Sequence, residues 1–225
     1  MRERPVVFLG SSLAVKDAAR ILDADYRPPI KRGDIDALLD DPPPAIGIID
    51  GEFFQSLAIS PKEILHALEK NVPTYGASSM GALRAVELAP YGMIGIGTVY
   101  EHYRTCAVDA DDEVAVTYSP TDHQPLSEAM INIRIALKQA AAERVITERD
   151  CEHLIRMAKR TYFPDRSYAN LWRKAEKRLP ERTLSVLRSY IAERKPDAKR
   201  DDAKLMLSEL NAFVSHRRLS AFIGG

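Results

Sequence analysis

Val72-Pro73-Thr74-Tyr75-Gly76-Ala77-Ser78-Ser79-Met80-Gly81-Ala82-Leu83-Arg84-Ala85-Val86-Glu87-Leu88 is the stretch on which the reading of this chain turns. Val72 to Tyr75 reads as a short strand and Gly76 to Gly81 as a sharp turn of small residues. Met80, Leu83, Val86 and Glu87 then recur at helical spacing. A strand that turns straight into a helix is the repeating unit of a parallel α/β sheet. The turn would set two hydroxyls and several backbone N–H groups at a helix N-terminus. That arrangement suits an anion, or a nucleophile with its oxyanion hole. The alternative is that Ser78 or Ser79 only caps the helix, while the small residues let it pack close to the sheet.

Working outward, the same unit recurs upstream. Val6-Val7-Phe8-Leu9 and Ala45-Ile46-Gly47-Ile48-Ile49 are continuous apolar runs, the pattern of strands buried on both faces. Helices are expected over Leu13–Leu22 and from Ser60-Pro61-Lys62-Glu63 to about Lys70, the latter with a serine cap, proline at the first position and glutamate three residues on. Short connections with this alternation predict an α/β fold, a parallel-sheet three-layer core, with a C-terminal helical extension. Ligands of such sheets bind beyond the carboxyl ends of the strands. The loops there are Gly10-Ser11-Ser12, Asp50-Gly51-Glu52-Phe53 and Gly76–Gly81. Val114-Ala115-Val116-Thr117-Tyr118 is expected to be a last strand, and helices are expected over 126–144, 148–160, 168–177, 181–194 and 198–216. The expected division is a core over 1–144 and a helical C-terminal region over 145–225.

The 225 residues are 45% hydrophobic, enough for a sizeable core, and 32 basic side chains balance 32 acidic ones. A net charge of zero gives no footprint for nucleic acid or a membrane surface. No run reaches membrane-spanning length and the N-terminus has no signal-type apolar stretch, so a soluble cytoplasmic protein is expected. Cys106 and Cys151 lack metal spacing and read as two ordinary thiols. The acidic run Asp109–Glu113 fits no calcium loop, and Gly95-Ile96-Gly97-Thr98-Val99-Tyr100 has tyrosine where a dinucleotide fingerprint needs its third glycine. No metal and no resident cofactor is expected.

The candidate chemistry gathers at the carboxyl edge. Gly76-Ala77-Ser78-Ser79-Met80-Gly81 approaches the nucleophile elbow G-x-S-x-G without matching it. With Ser79 as the central serine, Ala77 and Gly81 supply the small flanks, and the amides of Met80 and Gly81 could line an oxyanion hole. Asp50 and Glu52, at the end of a buried strand, are candidate bases, or a simple Asp-Gly turn. Lys62, opening its helix, would have a lowered pKa if it were also desolvated; otherwise it is a surface lysine. Arg84 and Glu87 can pair one turn apart or face the site. His66, His102 and His123 read as structural or exposed.

The chain also resembles the TfuA-like family. The matching stretches, in family order, are Arg32-Gly33-Asp34, Ile46-Gly47-Ile48-Ile49-Asp50-Gly51, Lys62-Glu63-Ile64-Leu65, Tyr75 to Leu88, Tyr91 to Gly97, Asp111 to Val116 and Asn132-Ile133-Arg134, spanning roughly residues 6 to 135. One departure is Pro61, where family members often have histidine. The resemblance implies a partner of a YcaO-type enzyme, which activates a peptide amide with ATP during backbone thioamidation. It implies that this protein helps deliver sulfur. With the serine turn, that suggests hydrolysis of a thiocarboxylated ubiquitin-like carrier protein: Ser79 or Ser78 attacks, Lys62, Asp50 or Glu52 activates, and Gly76, Met80, Gly81, Arg84 and Glu87 line the ligand site. The rival expectation is a non-catalytic accessory protein that docks on the YcaO-type partner and presents the sulfur donor.

Overall fold

The computed structural model describes residues 2–53, 57–121 and 124–223. Five strands, β1 (Val6–Phe8), β2 (Asp25–Arg27), β3 (Ile46–Ile48), β4 (Thr74–Ala77) and β5 (Ile94–Ile96), form one sheet in the order β2-β1-β3-β4-β5. Every pairing is parallel, with Val6 opposite Ile46, Ile46 opposite Thr74, and Tyr75 opposite Ile94. The α/β class read from the alternation is the one observed. Two strands arise where the sequence showed no clean run. β2 occupies an extended segment before two prolines, and β5 occupies the glycine-spaced segment Gly92–Gly97.

Alternation along the strands sends side chains to two faces. On one face Val6, Phe8, Ile46 and Ile48 pack against Ile64 and Ala67 of α2 (Pro61–Glu69) and Met80, Ala85 and Leu88 of α3 (Met80–Leu88). On the other, Val7, Leu9, Tyr75 and Ala77 pack with Ala18 of α1 (Val15–Ala18) and with Ala203, Met206, Leu207 and Leu210. The latter four belong to the last helix. With α4 (Thr98–Arg104), α5 (Met130–Ala142), α6 (Glu148–Lys159), α7 (Tyr168–Ala175) and α8 (Glu181–Arg194) between, that helix is α9 (Ala198–Ile223). Gly47 admits it: a Cβ there would stand 2.9 Å from the Met206 methyl carbon.

The chain forms two compact units, Met1–Asp109 with Lys199–Gly225, and Ala110–Ala198. The second is helical, its core built from Met130, Ile133 and Leu137 of α5, Leu154 of α6, Leu171 of α7 and Leu184 and Leu187 of α8. The expected strand at Val114–Tyr118 is not one. Asp111–Glu113 is a 3-10 turn, and the segment's bridge is an isolated antiparallel contact between Tyr118 and Pro125. Burial of Val114 and Ala115 accounts for the apolar run without a ladder. Glu113, 2% exposed, instead ties the segment to helices, 2.7 Å from Arg134 and 2.9 Å from Lys159. Arg166, also 2% exposed, holds Asp112 at 2.9 Å. The acidic run is thus engaged by three basic residues, and among the described residues no cluster of three or more His, Cys, Asp or Glu could hold a metal ion.

Two of the sequence's motifs explain each other. The cap expected at Ser60 forms: its hydroxyl accepts the Lys62 N–H at 3.2 Å and Glu63 Oε1 accepts the Ser60 N–H. The other oxygen of Glu63 accepts the Gly33 N–H at 2.6 Å, where Gly33 stands at φ +89. Arg32-Gly33-Asp34 and Lys62-Glu63 are therefore one joint.

α3 lies unusually close to the sheet. A Cβ on Gly81 would fall 1.8 Å from the Ile48 carbonyl oxygen, and one on Gly76 would fall 2.2 Å from that of Gly81. Both clashes are with backbone, which cannot swing aside. Gly81→Ala is therefore expected to lower stability by about 3 kcal/mol or more, at the upper end for overpacking, read from the urea midpoint. A loss under about 1 kcal/mol would show that α3 can shift freely.

Candidate functional site

β4 ends at Ala77 and α3 begins at Met80, so the chain reverses within Ser78 and Ser79. Ser78 takes the left-handed conformation, φ +69, and the Ser79 N–H closes back onto the Ala77 carbonyl at 2.8 Å. A non-glycine residue held there stores about 1–3 kcal/mol, which the surroundings must over-determine. The serines do not cap α3. Ser79 occupies the cap position, but its side chain makes no cap hydrogen bond. The capping alternative raised by the sequence is thereby removed, and the Ser78 hydroxyl is committed elsewhere.

Ser78, with no exposed surface, donates through its hydroxyl to Ser12 Oγ at 2.8 Å. Ser12 donates in turn to Asp50 Oδ1 at 2.7 Å. Asp50 Oδ2 accepts the backbone N–H groups of Gly10 at 2.9 Å and Ser12 at 3.0 Å. Each element supplies one part: β1 runs into the Gly10–Ser12 loop, β3 into Asp50, and β4 into Ser78. A buried carboxylate needs this density of donors, because an unpaired one is strongly disfavoured. The fourth participant comes from the far end of the chain. Lys199, 4% exposed, places Nζ 4.0 Å from Asp50 Oδ1. The result is a buried line of groups, Ser78 to Ser12 to Asp50 to Lys199, able to move a proton away from Ser78.

The amide expectation divides. The Gly81 N–H points back to the Ile49 carbonyl at 3.3 Å and is spent, because the close approach of α3 directs it there. The Met80 N–H donates to none of the described residues, and neither does the hydroxyl of Ser79, so these two polar groups stay available at the turn. Gly51 lets Met80 settle there, since a Cβ on it would meet Met80 Cγ at 2.7 Å.

Lys62, Arg84 and Gly76 stand apart from the network. Lys62 is exposed at the start of α2, so the desolvation that would have activated it is absent. Glu52 is half-buried, its N–H on the Ile30 carbonyl. Arg84 spends its guanidinium on Glu87, 2.7 Å away, and on the Ile59 carbonyl at 3.1 Å. Gly76 serves the packing of α3. His66 pairs with Asp36 at 3.0 Å on the surface, and His123 lies outside the described residues. Sequence reasoning missed Ser12 and Lys199 as site residues. Ser12 sits in a loop already placed at the carboxyl edge. For Lys199 the sequence carries no signal, since it is one cation among many on a mixed-charge helix.

A family model of TfuA-like proteins matches residues 50–167. The chain belongs to the TfuA-like family. The matched span opens on Asp50 and contains Ser78, Met80, Glu113, Arg134 and Arg166, while Ser12 and Lys199 fall outside it. A search of curated proteins finds no match to this chain. The TfuA-like family is YcaO-associated, which ties the chain at family level to a YcaO-type partner and to thioamidation. No helix among the described residues is long and apolar enough to cross a membrane.

α9 is fastened beside the network by a second carboxylate. Asp202 accepts the N–H groups of Thr98 at 2.8 Å and Val99 at 2.7 Å, the first turn of α4. Burial pushes its carboxyl up to about 6 from 3.8, against the two N–H bonds that favour the charge. The folded chain therefore holds a proton that the unfolded chain has released, so this group's contribution is largest at low pH and falls as pH rises from about 4 to about 6. Relative to Asp202→Asn, the wild type is expected to lose on the order of 2 kcal/mol across that window, measured by urea unfolding at each pH. Parallel curves for the two proteins would contradict the assignment.

Proposed function

We propose that this TfuA-like protein releases sulfide from a thiocarboxylated, ubiquitin-like carrier protein for use by its YcaO-type partner, with Ser78 as nucleophile. The observation that carries this reading is the hydrogen-bonded line from the strained Ser78 through Ser12 to the buried Asp50. Such a line is the requirement for activating a serine whose own hydroxyl is a weak nucleophile.

In the proposed reaction Ser78 Oγ attacks the carbonyl carbon of the thiocarboxylate as its proton passes to Ser12, and that of Ser12 to Asp50. The Met80 N–H, unoccupied at the helix N-terminus, faces the developing oxyanion. The C–S bond breaks, sulfur takes the proton and leaves as hydrosulfide, and the carrier remains as an ester on Ser78. Water then attacks the ester carbon, the bond to Ser78 Oγ breaks, and Ser78 regains its proton. The sum is thiocarboxylate plus water giving carboxylate plus hydrogen sulfide, with no resident cofactor and with ATP used only by the partner. Ser79, whose hydroxyl has no partner among the described residues, contacts the substrate.

The second reading is an accessory protein that binds the donor or the YcaO-type partner without chemistry. It is favoured by one observation: Ser78 is 0% and Ser79 2% exposed, so a substrate must displace part of their cover.

Sulfide assays on purified protein with thiocarboxylated carrier, without ATP or partner, separate the two. The hydrolytic reading expects release that Ser78→Ala cuts by a hundredfold or more, with Ser79→Ala retaining a measurable fraction, and a carrier ester trapped on Ser78 by mass spectrometry. Undiminished release by Ser78→Ala, with Ser79→Ala inactive, would move the nucleophile to Ser79. No release by the wild type would favour the accessory role.

A further inference from the structure

The two edges of the sheet are finished differently. β2 closes one side with Asp25 and Arg27, which pair with each other, while Asp25 also pairs with Arg2 and two prolines follow the strand. Charge and proline are what keep an edge strand from pairing with another chain. β5 closes the other side with Ile94-Gly95-Ile96, which carries neither. Among the described residues its main chain is bonded to β4 alone, so its outer side is an unpaired ladder. The faces of β5 are occupied: a Cβ on Gly95 would run into the Tyr100 ring, and Ile96 packs against the cluster that holds Tyr75 and Ala77. The edge itself is open. Ile94 is 41% exposed, and Gly95, which has no side chain to expose, is only half-buried. Tyr91, just before the strand, is 64% exposed.

We infer that the β5 edge receives the C-terminal tail of the carrier protein as an added parallel strand, which leads its thiocarboxylate to the Ser78–Met80 turn. The inference rests on the thiocarboxylate reading above. Extended tails are recognised on open sheet edges through main-chain hydrogen bonds. Direction selects the occupant. Every pairing in this sheet is parallel, so a tail that continues the order ends at the carboxyl edge, where β4 runs into Ser78. Ile96 lies opposite Ala77, so the open ladder and the turn stop at the same level. An added strand lies two strand spacings, about 10 Å, from β4, a gap that roughly three extended residues of tail span. Charge agrees with this direction: the tail ends in an anion, and the N-terminus of α3 offers the unspent Met80 N–H. Tyr91 and Ile94 stand at the amino end of β5, where the body of a carrier docked in this direction rests.

The probe is a ubiquitin-like carrier ending in an ordinary carboxylate, which binds without reacting, added to the full chain and followed by titration and by hydrogen exchange. Amide exchange over Ile94–Ile96 is expected to slow by about tenfold or more on binding. Proline placed at successive positions of the carrier's tail removes one N–H at a time and is expected to weaken binding at alternate positions, the signature of a ladder. Ile94→Lys is expected to weaken binding by about tenfold, and to raise KM for sulfide release from the thiocarboxylated carrier while leaving kcat. Tyr91→Ala, at a more exposed position, is expected to do the same and serves should Ile94→Lys not fold. A carrier that fails to bind, or that binds without protecting Ile94–Ile96, would overturn the inference. So would proline effects without alternation, or protection that grows with the concentration of this chain alone, which would mark a second copy on the edge. Binding with protection but no sulfide release by the wild type would strike the hydrolytic reading and leave the docking edge standing. Sulfide release with KM unchanged in both variants would do the reverse.

Discussion

One buried carboxylate holds the carboxyl edge of the sheet together. Asp50 leaves the end of β3 and finds its donors on the neighbouring β1 loop, through the amides of Gly10 and Ser12 and the Ser12 hydroxyl. Hydrogen bonds to a charged group contribute about 1.5–3 kcal/mol each, and their loss would leave the amides buried and unpaired. Everything at this edge follows from that need. The β1 loop is curled so that its amides converge, Ser12 is aimed to accept from Ser78, and α9 brings a lysine to a place where an apolar side chain would otherwise sit. The strained φ of Ser78 is affordable because its hydroxyl is fixed from the other end.

A second constraint is the approach of α3 to the sheet. With no Cβ at Gly76 or Gly81, helix and strands touch through backbone. The Gly81 N–H is pulled onto the Ile49 carbonyl, and the Met80 N–H is left as an open donor at the helix start. The small residues of the turn are therefore not only a steric allowance. They decide which amide is available to an anion.

Much of this was legible in the sequence, for reasons that differ by element. Strands β1 and β3 are buried on both faces, so they write themselves as apolar runs, and the Ser60 cap carries its own local signature, whereas β4 lies at Thr74–Ala77, two residues beyond the expected Val72–Tyr75. The helices from α5 to α9 were readable because proline and amphipathic spacing mark them. Val114–Tyr118 misled because an apolar run reports burial, which irregular chain can also satisfy. At the site, Ser78 and Asp50 were visible as polar residues placed at strand ends. Ser12 carried only the weak signal of its loop. Lys199 was invisible, since its partner lies across the fold and nothing in the spacing around it records a contact with Asp50. Which of the two serines takes the left-handed conformation was likewise hidden, because adjacent identical residues do not reveal backbone angles.

The path of the chain between the two units has a consequence for how the protein is made. The sheet and α9 form one unit, and residues 110–198, the helical unit, are synthesised between them. On a ribosome, β1 to β5 emerge early, with one apolar face covered only in part, by α1, until Ala203 to Val214 are added. The intervening helical unit has a core of its own, built from α5 to α8. Because the helix that covers this face also carries Lys199, the ion pair with Asp50 can form only after α9 has been added.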